Sequence, residues 1–289
     1  MQKTVSVALG TFDGLHKAHM AVLQTALSQN THKKICITFP HPPKMTGGKM
    51  QLIITPEDKQ KMLLSMGFDE VITLNFSKVK NLSPTEFLDF LVKTYGTTHI
   101  SVGYNYRFGA GALGDAKFLQ EYCQKNGIHA IITDSIKCDG EVVSSTAIRQ
   151  FLKNGDILKA NKFLGRNFSF TSPVISGDKR GRTIGVPTIN QALPDGLVEA
   201  LHGVYFSLVK FDGKTYKAVT NIGYRPTFKL ETPISETHII GFEGDLYNKN
   251  VSVELIKFIR EERKFETLQE LQKAVQKDIL LVKSLEVKL

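Results

Sequence analysis

The sequence predicts an α/β domain followed by an antiparallel β domain, and three observations support this prediction. In the first half, short apolar segments alternate with segments of helical periodicity, which is typical of a doubly wound parallel sheet. In the second half, segments rich in β-branched and aromatic residues follow one another, separated by Gly, Asp or Asn turns. The chain has 289 residues, a length that suits two domains of ordinary size.

The first half opens with an apolar strand over 5–9, which leads through a glycine-containing loop to a helix over about 20–27. Further strands are predicted over 33–39, 69–76, 99–104 and 129–134, and further helices over 56–67, 83–96 and about 115–126. Ser83 and Glu86 form a capping box, and Gly96 ends that helix. We therefore expect a Rossmann-like, doubly wound parallel sheet with right-handed crossovers, whose ligands bind at the carboxyl ends of the strands.

Two helices, over 144–156 and 157–164, connect this half to the next. Five strands are then predicted, over 168–176, 203–211, 214–223, 235–242 and 251–259. With a final helix over about 267–281, they predict a small antiparallel β-barrel. We place the boundary near Arg166, which makes the two domains 1–166 and 167–289.

The composition is that of a folded protein, with 42% hydrophobic and 22% charged residues, and excludes a disordered chain. Lys and Arg exceed Asp and Glu by 37 to 28, a net charge of +9. This surplus favours anionic ligands such as nucleotides, although a solvated lysine surface would explain most of it. No segment is dense enough in Lys and Arg to predict a nucleic-acid-binding arm.

The three cysteines, Cys36, Cys123 and Cys138, are odd in number and widely spaced. They match neither a disulfide framework nor a CxxC metal site, so a reducing compartment is expected. The first ten residues lack the layout of a signal peptide, and no stretch approaches the roughly 20 apolar residues of a membrane span. We expect a cytoplasmic protein with no membrane partner.

The segment GTFDGLHKAHM, residues 10–20, lies where the first strand gives way to the first helix. A helix N-terminus carries unpaired N–H groups and partial positive charge, and glycines such as Gly10 and Gly14 let the backbone approach a phosphate. His16 and His19, three residues apart, can project to the same side. We predict a phosphate site here; the alternatives are a pair of surface histidines or a two-histidine metal site without a third ligand.

This segment also resembles the GxFDGxHxGH signature of the bifunctional riboflavin kinase/FAD synthetases. Segments similar to that family follow in its order: TFPHP (38–42), VGYNYRFGAGALGD (102–115), VSSTAIR (143–149), GDKRGRTIGVPTIN (177–190), NIGYRPTF (221–228), ETH (236–238), DLY (245–247) and IREERKF (259–265). The resemblance spans nearly the whole chain, and the order of the motifs is more specific than any one of them.

For the first domain the resemblance implies transfer of the adenylyl group of ATP to FMN, with release of pyrophosphate. His16, His19 and Arg149 are then the catalytic residues. The implied ATP- and phosphate-binding residues of this domain are Gly10, Phe12, Asp13, Gly14, Asn105, Ser144, Ser145 and Thr146. Read alone, SSTAIR is a plain N-cap of a structural helix and Asp13 a turn residue.

For the second domain the resemblance implies phosphorylation of riboflavin by ATP. Thr188 and Asn190 resemble the family's ligands for Mg²⁺ or another divalent cation, and Glu236 its general base. The implied phosphate-binding loop contributes Gly177, Lys179, Gly181, Arg182 and Gly185. Without this context, the loop would be a solvated charged hairpin and Glu236 an exposed strand carboxylate.

Three positions depart from the pattern: Ala18 replaces the glycine of HxGH, TFPHP is one residue short, and Asn248 replaces the glycine expected after DLY. The first two, both in the first domain, leave open a riboflavin kinase whose adenylyltransferase domain is weak or inactive. Asparagine also tolerates turn geometry, so we discount the third departure. A non-catalytic flavin- or nucleic-acid-binding regulator is the alternative from another class. We expect riboflavin, FMN and ATP as partners, no nucleic acid, and a monomer or weak homo-oligomer.

Overall fold

The structure is a computed structural model that describes residues 4–42, 51–177, 181, 185–224 and 233–286. It divides into two compact units, Met1–Ser145 and Thr146–Leu289. This division precedes the domain boundary near Arg166, which stays a prediction.

The first unit is a five-stranded parallel sheet in the order β3-β2-β1-β4-β5, with helices in the connections. Its elements are β1 (Val5–Leu9), α1 (Lys17–Leu27), β2 (Lys33–Thr38), α2 (Pro56–Ser65), β3 (Glu70–Thr73), α3 (Phe76–Val79), α4 (Pro84–Tyr95), β4 (Thr97–Gly103), α5 (Ala116–Asn126), β5 (His129–Thr133), β6 (Lys137–Cys138) and β7 (Glu141–Val142). The predicted doubly wound α/β sheet is confirmed.

Strand β1 is buried along its whole length because it lies between β2 and β4 with apolar layers on both faces. Val7 and Leu9 belong to one apolar cluster, and Ala8, between them, belongs to another. The chain winds in opposite directions on the two sides of β1, so β1 and β4 form the topological switch point. A crevice opens at the carboxyl ends of strands at such a point.

The predicted helix signals act as expected in α4. The Ser83 hydroxyl accepts a hydrogen bond from the Glu86 backbone N–H, and the Glu86 side chain accepts one from the Ser83 N–H. At the other end Gly96 adopts the left-handed conformation with φ of 67°, which costs glycine little. Both backbone ends of the helix are therefore satisfied by local residues.

The second unit is a six-stranded antiparallel sheet in the order β8-β13-β10-β11-β12-β9. Its elements are α6, which begins at the last residue of the first unit (Ser145–Lys153), α7 (Ile157–Leu164), β8 (Phe168–Pro173), β9 (Ile189–Ala192), β10 (Gly203–Phe211), β11 (Lys214–Gly223), β12 (Ile234–Ile239), β13 (Asn250–Arg260) and α8 (Leu268–Ser284). The five predicted strands and the final helix are all present.

The edges of this sheet meet, which makes it a nearly closed barrel. Just after β8, the Ile175 backbone N–H donates to the Asn190 carbonyl on β9 at 2.8 Å. Gln191 of β9 donates from its amide to the carbonyls of Ser172 and Val251, at 2.7 and 2.9 Å. The sequence analysis had not identified β9, because this short strand depends on partners distant in sequence.

Helix α8 is held to the barrel by a charged pair. Arg260, at the end of β13, donates to Asp278 from Nε to Oδ1 at 3.3 Å and from Nη2 to Oδ2 at 2.8 Å. Asp278 is only 5% exposed and shares its helix face with the buried Ala274 and Val282. Two parallel hydrogen bonds give such a pair a defined geometry.

Within the described part of the chain, none of the helices combines the length and apolar character that a membrane crossing needs.

Candidate active sites

The loop between β1 and α1 has an unusual backbone held in place by buried side chains. Phe12, Gly14 and Leu15 have φ angles of 48°, 91° and 45°. Such angles are strained for residues with a side chain, at a cost of about 1–3 kcal/mol each. Phe12 and Leu15 are only 2% and 1% exposed and belong to the same apolar cluster. Core packing therefore maintains a strained loop at the predicted phosphate site.

Gly10 is required at the start of this loop because a Cβ there would lie 2.8 Å from the ring of Phe12. Gly14 combines its positive φ with a close approach to Ile53, 3.0 Å from where its Cβ would be. Two of the predicted glycines thus allow the loop to pass close to neighbouring side chains.

His16 and His19 lie together at the start of α1, as predicted. The two rings stack with centroids 3.5 Å apart. Nδ1 of His16, the N-cap residue, accepts a hydrogen bond from the His19 backbone N–H at 3.3 Å. A neutral His16 therefore carries its proton on Nε2, the nitrogen that can donate to an anion.

His19 is held in its neutral form. Burial lowers its pKa well below the ordinary value, and the neighbouring positive charges of His16 and Lys59 lower the pKa further. Its Nδ1 atom is buried and has no hydrogen-bond partner among the described residues. Buried polar atoms without a partner are uncommon in proteins, so this nitrogen marks a position where a ligand would supply a missing hydrogen bond.

Lys59, which the sequence analysis missed, lies beneath the same loop. It is 4% exposed, and its ammonium donates to the carbonyl oxygens of Thr11 and Phe39 and to the Thr38 hydroxyl, at 3.0, 2.5 and 3.2 Å. Burial lowers the pKa of Lys59 to about 8, while Asp13 and Cys36 oppose this shift. Its spacing from Leu63, the other buried residue of α2, was the only sequence signal that Lys59 faces inward.

Asp13 connects the loop to two other segments. Its Oδ1 atom accepts a hydrogen bond from the Ile53 backbone N–H at 2.9 Å, and its carbonyl accepts one from the Ser145 hydroxyl at 2.8 Å. These contacts give Asp13 a structural role, and its role in phosphate binding stays a prediction. The bond to Ser145 thus connects the GTFDG motif with the last residue of the first unit. Ser144 precedes this contact, and Thr146 and Arg149 follow along α6 in the second unit.

Two further motifs emerge at the same edge of the sheet, because parallel strands end on one side. TFPHP follows β2, and within it the Nδ1 atom of His41 is buried without a hydrogen-bond partner in the described part of the chain. Asn105 follows β4 and is exposed. The two strands that flank β1 thus bring TFPHP and Asn105 to the edge where His16 lies.

In the second unit, the predicted base and a predicted metal ligand are neighbours. Glu236 of β12 pairs with Asn190 of β9 on one side and with Asn221 of β11 on the other. Paired residues of an antiparallel ladder point to the same face. Asn190 is 6% exposed, and its Oδ1 atom is buried with no hydrogen-bond partner among the residues described.

Thr188 lies two residues before Asn190, a spacing that puts both on one face of an extended chain. Two glycines of the predicted phosphate-binding loop, Gly177 and Gly181, lie close to these two residues. A Cβ on Gly177 would lie 2.3 Å from Nδ2 of Asn190, and one on Gly181 would lie 2.2 Å from the Val186 carbonyl oxygen and 3.4 Å from the Thr188 hydroxyl. Gly185 has a φ of 73°. Lys179 and Arg182, the predicted basic members of this loop, lie outside the described residues.

A cavity of about 440 Å³ adjoins this arrangement, within the size range of small-molecule sites. Its lining includes Gly185, Thr188, Thr237, Phe242, Asp245 and Tyr247. Phe242 and Tyr247 were not predicted as site residues. The cavity places two aromatic side chains beside the threonine of the PTIN motif.

Among the described residues there is no cluster of three or more His, Cys, Asp or Glu side chains that could hold a metal ion. His16 and His19 have no such third partner in that part of the chain. Phosphate binding at the first site stays a prediction.

Comparison with known families gives two consecutive matches. A family model described as FAD synthetase matches residues 1–147, and one described as riboflavin kinase matches residues 164–285. Two relatives carry the name bifunctional riboflavin kinase/FMN adenylyltransferase. The relative from Bacillus subtilis (strain 168) is 34% identical, and the match covers 94% of this chain and 89% of the relative. The relative from Escherichia coli (strain K12) is 32% identical, and the match covers 96% of this chain and 92% of the relative.

Among solved structures, a protein from Streptococcus pneumoniae titled a macrolide-efflux protein has the same fold along its whole length. The TM-score is 0.88 with 27% sequence identity, and the match covers 99% of this chain and 98% of that one. The order of the two units along the chain is thus shared with a second protein.

Proposed function

We propose, since the chain belongs to the family of bifunctional riboflavin kinase/FMN adenylyltransferases, that it is an enzyme that makes FMN from riboflavin and FAD from FMN. The observation that carries this proposal is the consecutive match of both family models, over 1–147 and 164–285. We assign adenylyl transfer to the first domain and phosphorylation to the second, with the boundary near Arg166.

In adenylyl transfer, an oxygen of the FMN phosphate forms a bond to the α-phosphorus of ATP, while the bond to the bridging oxygen breaks and pyrophosphate leaves. This reaction mainly needs positioning and stabilisation of negative charge. The loop from Gly10 to His16 supplies the N-terminus of α1, and His16 and His19 supply imidazole N–H groups. We propose that Ser144, Ser145, Thr146 and Arg149 bind the phosphates at the start of α6, and that Asn105 binds nucleotide or flavin phosphate.

In the kinase reaction, the 5′-hydroxyl of the ribityl chain attacks the γ-phosphorus of ATP, and ADP leaves. We propose that Glu236 takes the proton from that hydroxyl as general base. Its neighbour Asn221 donates from Nδ2 to Glu262 at 2.7 Å. The pairing of Glu236 with Asn190 keeps the base beside the nucleotide.

Thr188 and Asn190 fit a divalent cation, which we propose to be Mg²⁺. Both present neutral oxygen donors, the type that Mg²⁺ prefers, and the Asn190 Oδ1 atom is buried without a partner in the described part of the chain. When bound, the cation would neutralise charge on the β- and γ-phosphates. Gly177, Gly181 and Gly185, with Lys179 and Arg182, would form the loop over those phosphates.

We place the nucleoside of this ATP in the neighbouring cavity, whose Phe242 and Tyr247 rings suit contact with an aromatic base. We further propose that the enzyme acts in the cytoplasm as a monomer or weak homo-oligomer, without a nucleic-acid partner. Use of ATP and the three free, buried cysteines agree with a reducing compartment.

The test is product analysis after incubation of the purified chain with riboflavin and MgATP. FMN followed by FAD is the expected result. FMN alone would favour a kinase with an inactive adenylyltransferase domain. Neither product, together with steeply salt-dependent binding to duplex DNA, would favour the regulator.

A further inference from the structure

We propose that Lys59 is a positioning residue for adenylyl transfer, whose buried ammonium joins the β1–α1 loop to the end of β2 and sets the electrostatic state of His19. This inference rests on the function proposed for the first domain. It begins from three hydrogen bonds. The ammonium donates to Thr11 in the loop and to Thr38 and Phe39 at the end of β2.

These three contacts use all the donors of a protonated lysine, because an ammonium has three N–H bonds and a neutral amine has two. Lys59 therefore fits its surroundings only in the charged form. A buried charge is costly unless it is paired and hydrogen-bonded. A neutral amine or amide would avoid this cost but has only two N–H donors for the three oxygens, so the surroundings of Lys59 select the charged form.

The groups that face Lys59 show what its charge can act on. Asp13 lies on the loop after β1, Cys36 on β2, and His19 on α1. Burial raises the pKa of the Cys36 thiol, which is therefore neutral. The Asp13 carboxylate already accepts a hydrogen bond from the Ile53 backbone. Lys59 thus places a positive charge below the loop, beside the Asp13 carboxylate, which favours the charged form of Lys59.

Two effects on the phosphate site follow. Burial lowers the pKa of His19 most, and the charges of His16 and Lys59 lower it further, so Lys59 helps the imidazole to donate a hydrogen bond without becoming a second cation stacked on His16. The hydrogen bonds also keep the GTFDG and TFPHP motifs at a constant separation, because Thr11 and Phe39 are held by one atom. A displacement of about 1 Å between groups that position a substrate is enough to cost about 100-fold in rate.

The experiment compares Lys59→Met, which removes both charge and donors, with Lys59→Gln, which keeps neutral donors. Lys61→Met, on the exposed side of the same helix, is the matched control. For each full-length variant, FAD formation from FMN and MgATP is measured beside FMN formation from riboflavin and MgATP. The second activity belongs to the other unit and serves as an internal standard.

We expect both Lys59 variants to lower kcat for FAD formation by about 100-fold and to leave the kinase reaction unchanged. Wild-type FAD formation should also decline above pH 8, the region in which Lys59 loses its proton, and the Gln variant should lack this decline. As a measurement independent of activity, NMR titration of the His19 imidazole should show its pKa rising in Lys59→Met but not in Lys61→Met.

Wild-type rates of FAD formation in a folded Lys59→Met, with an unchanged His19 titration, would overturn the proposal. Unfolding of the first unit in both Lys59 variants would also overturn it, in favour of a purely structural role. If the wild-type chain itself makes no FAD, the proposed adenylyl transfer fails. The His19 titration then still decides whether the charge of Lys59 reaches the site.

Discussion

Glu236 lies directly opposite Asn190 in the ladder between β12 and β9. The pairing brings a proposed proton acceptor and a proposed cation ligand to one face of the barrel from distant parts of the chain. Both residues belong to the second unit, so we expect a change at either one to alter the reaction that we assign to that unit.

Replacing Glu236 with Gln should lower FMN formation by about 10²–10⁴-fold, the usual contribution of a positioned base, because an amide cannot take the proton of the attacking hydroxyl. FAD formation from added FMN should stay at the wild-type rate. Separate steady-state assays of the two reactions measure this, with the exposed Glu261→Gln as control. Equal loss of both activities would contradict the assignment of one reaction to each unit.

Gly177→Ala should raise the KM for ATP in the kinase reaction by about tenfold, the lower end of the effect of disturbing groups around a metal ligand. The added methyl would lie 2.3 Å from the Asn190 amide and would displace it. Gly213→Ala controls for general effects of replacing glycine. Gly213 lies at a turn with a φ of 73°, and a Cβ there would meet nothing within 4 Å. An unchanged KM in Gly177→Ala would argue against Asn190 as a ligand.

The first unit should lose stability as the pH falls below the ordinary pKa of an imidazole. The pKa of His19 is lower in the folded state than in the unfolded state, so below pH 6.5 the unfolded chain binds a proton that the folded chain does not. The free energy of unfolding of this unit therefore decreases by up to about 1.4 kcal/mol for each unit by which the pH falls. Native-state hydrogen exchange of the β1 amides at pH 7 and at pH 5 isolates this unit from the other. His19→Gln should reduce the difference between the two pH values; the same difference in both proteins would refute the cause.

Asp278→Ala should loosen α8, because it leaves the Arg260 guanidinium without its partner. Removing one member of a buried pair typically costs about 3–5 kcal/mol, and we expect the lower value here since the Arg260 side chain is 24% exposed. Hydrogen exchange across α8 measures the loss, and Lys277→Ala, on the exposed side of the helix, is the control. The double variant Arg260→Met with Asp278→Leu should lose less hydrogen-exchange protection in α8 than Asp278→Ala does. An equal loss of protection in the two proteins would mean that the pair itself contributes little.

Elements with strong local signals were predictable. The five-residue apolar run of β1 and the capping box of α4 act within a few residues, so the sequence alone identifies them. Strand β9 was not found, because its pairing with β12 and its bridge to Ile175 are long-range contacts. The left-handed φ of Asn248, 62°, agrees with the expectation that asparagine tolerates the turn after DLY.

The site was predictable where residue type carries the chemistry. The histidines, the PTIN residues and Glu236 follow from motifs, and the structure brings His16 to His19 and Asn190 to Glu236. Lys59 was missed because lysines are usually exposed, and only tertiary packing shows this one to be buried. Phe242 and Tyr247 were missed because aromatic residues at a cavity wall have the same pattern as those of a core.

The burial of Phe12 and Leu15 has a wider consequence for how the first domain can evolve. The buried side chains of Phe12 and Leu15 support the backbone of the proposed phosphate site from below. We therefore expect a substitution in the surrounding apolar cluster to change the geometry of that site, even where the substituted residue does not contact a nucleotide. Substitutions that accumulate in the core of the first domain would then change the rate of FAD synthesis first, while FMN synthesis by the second domain continued.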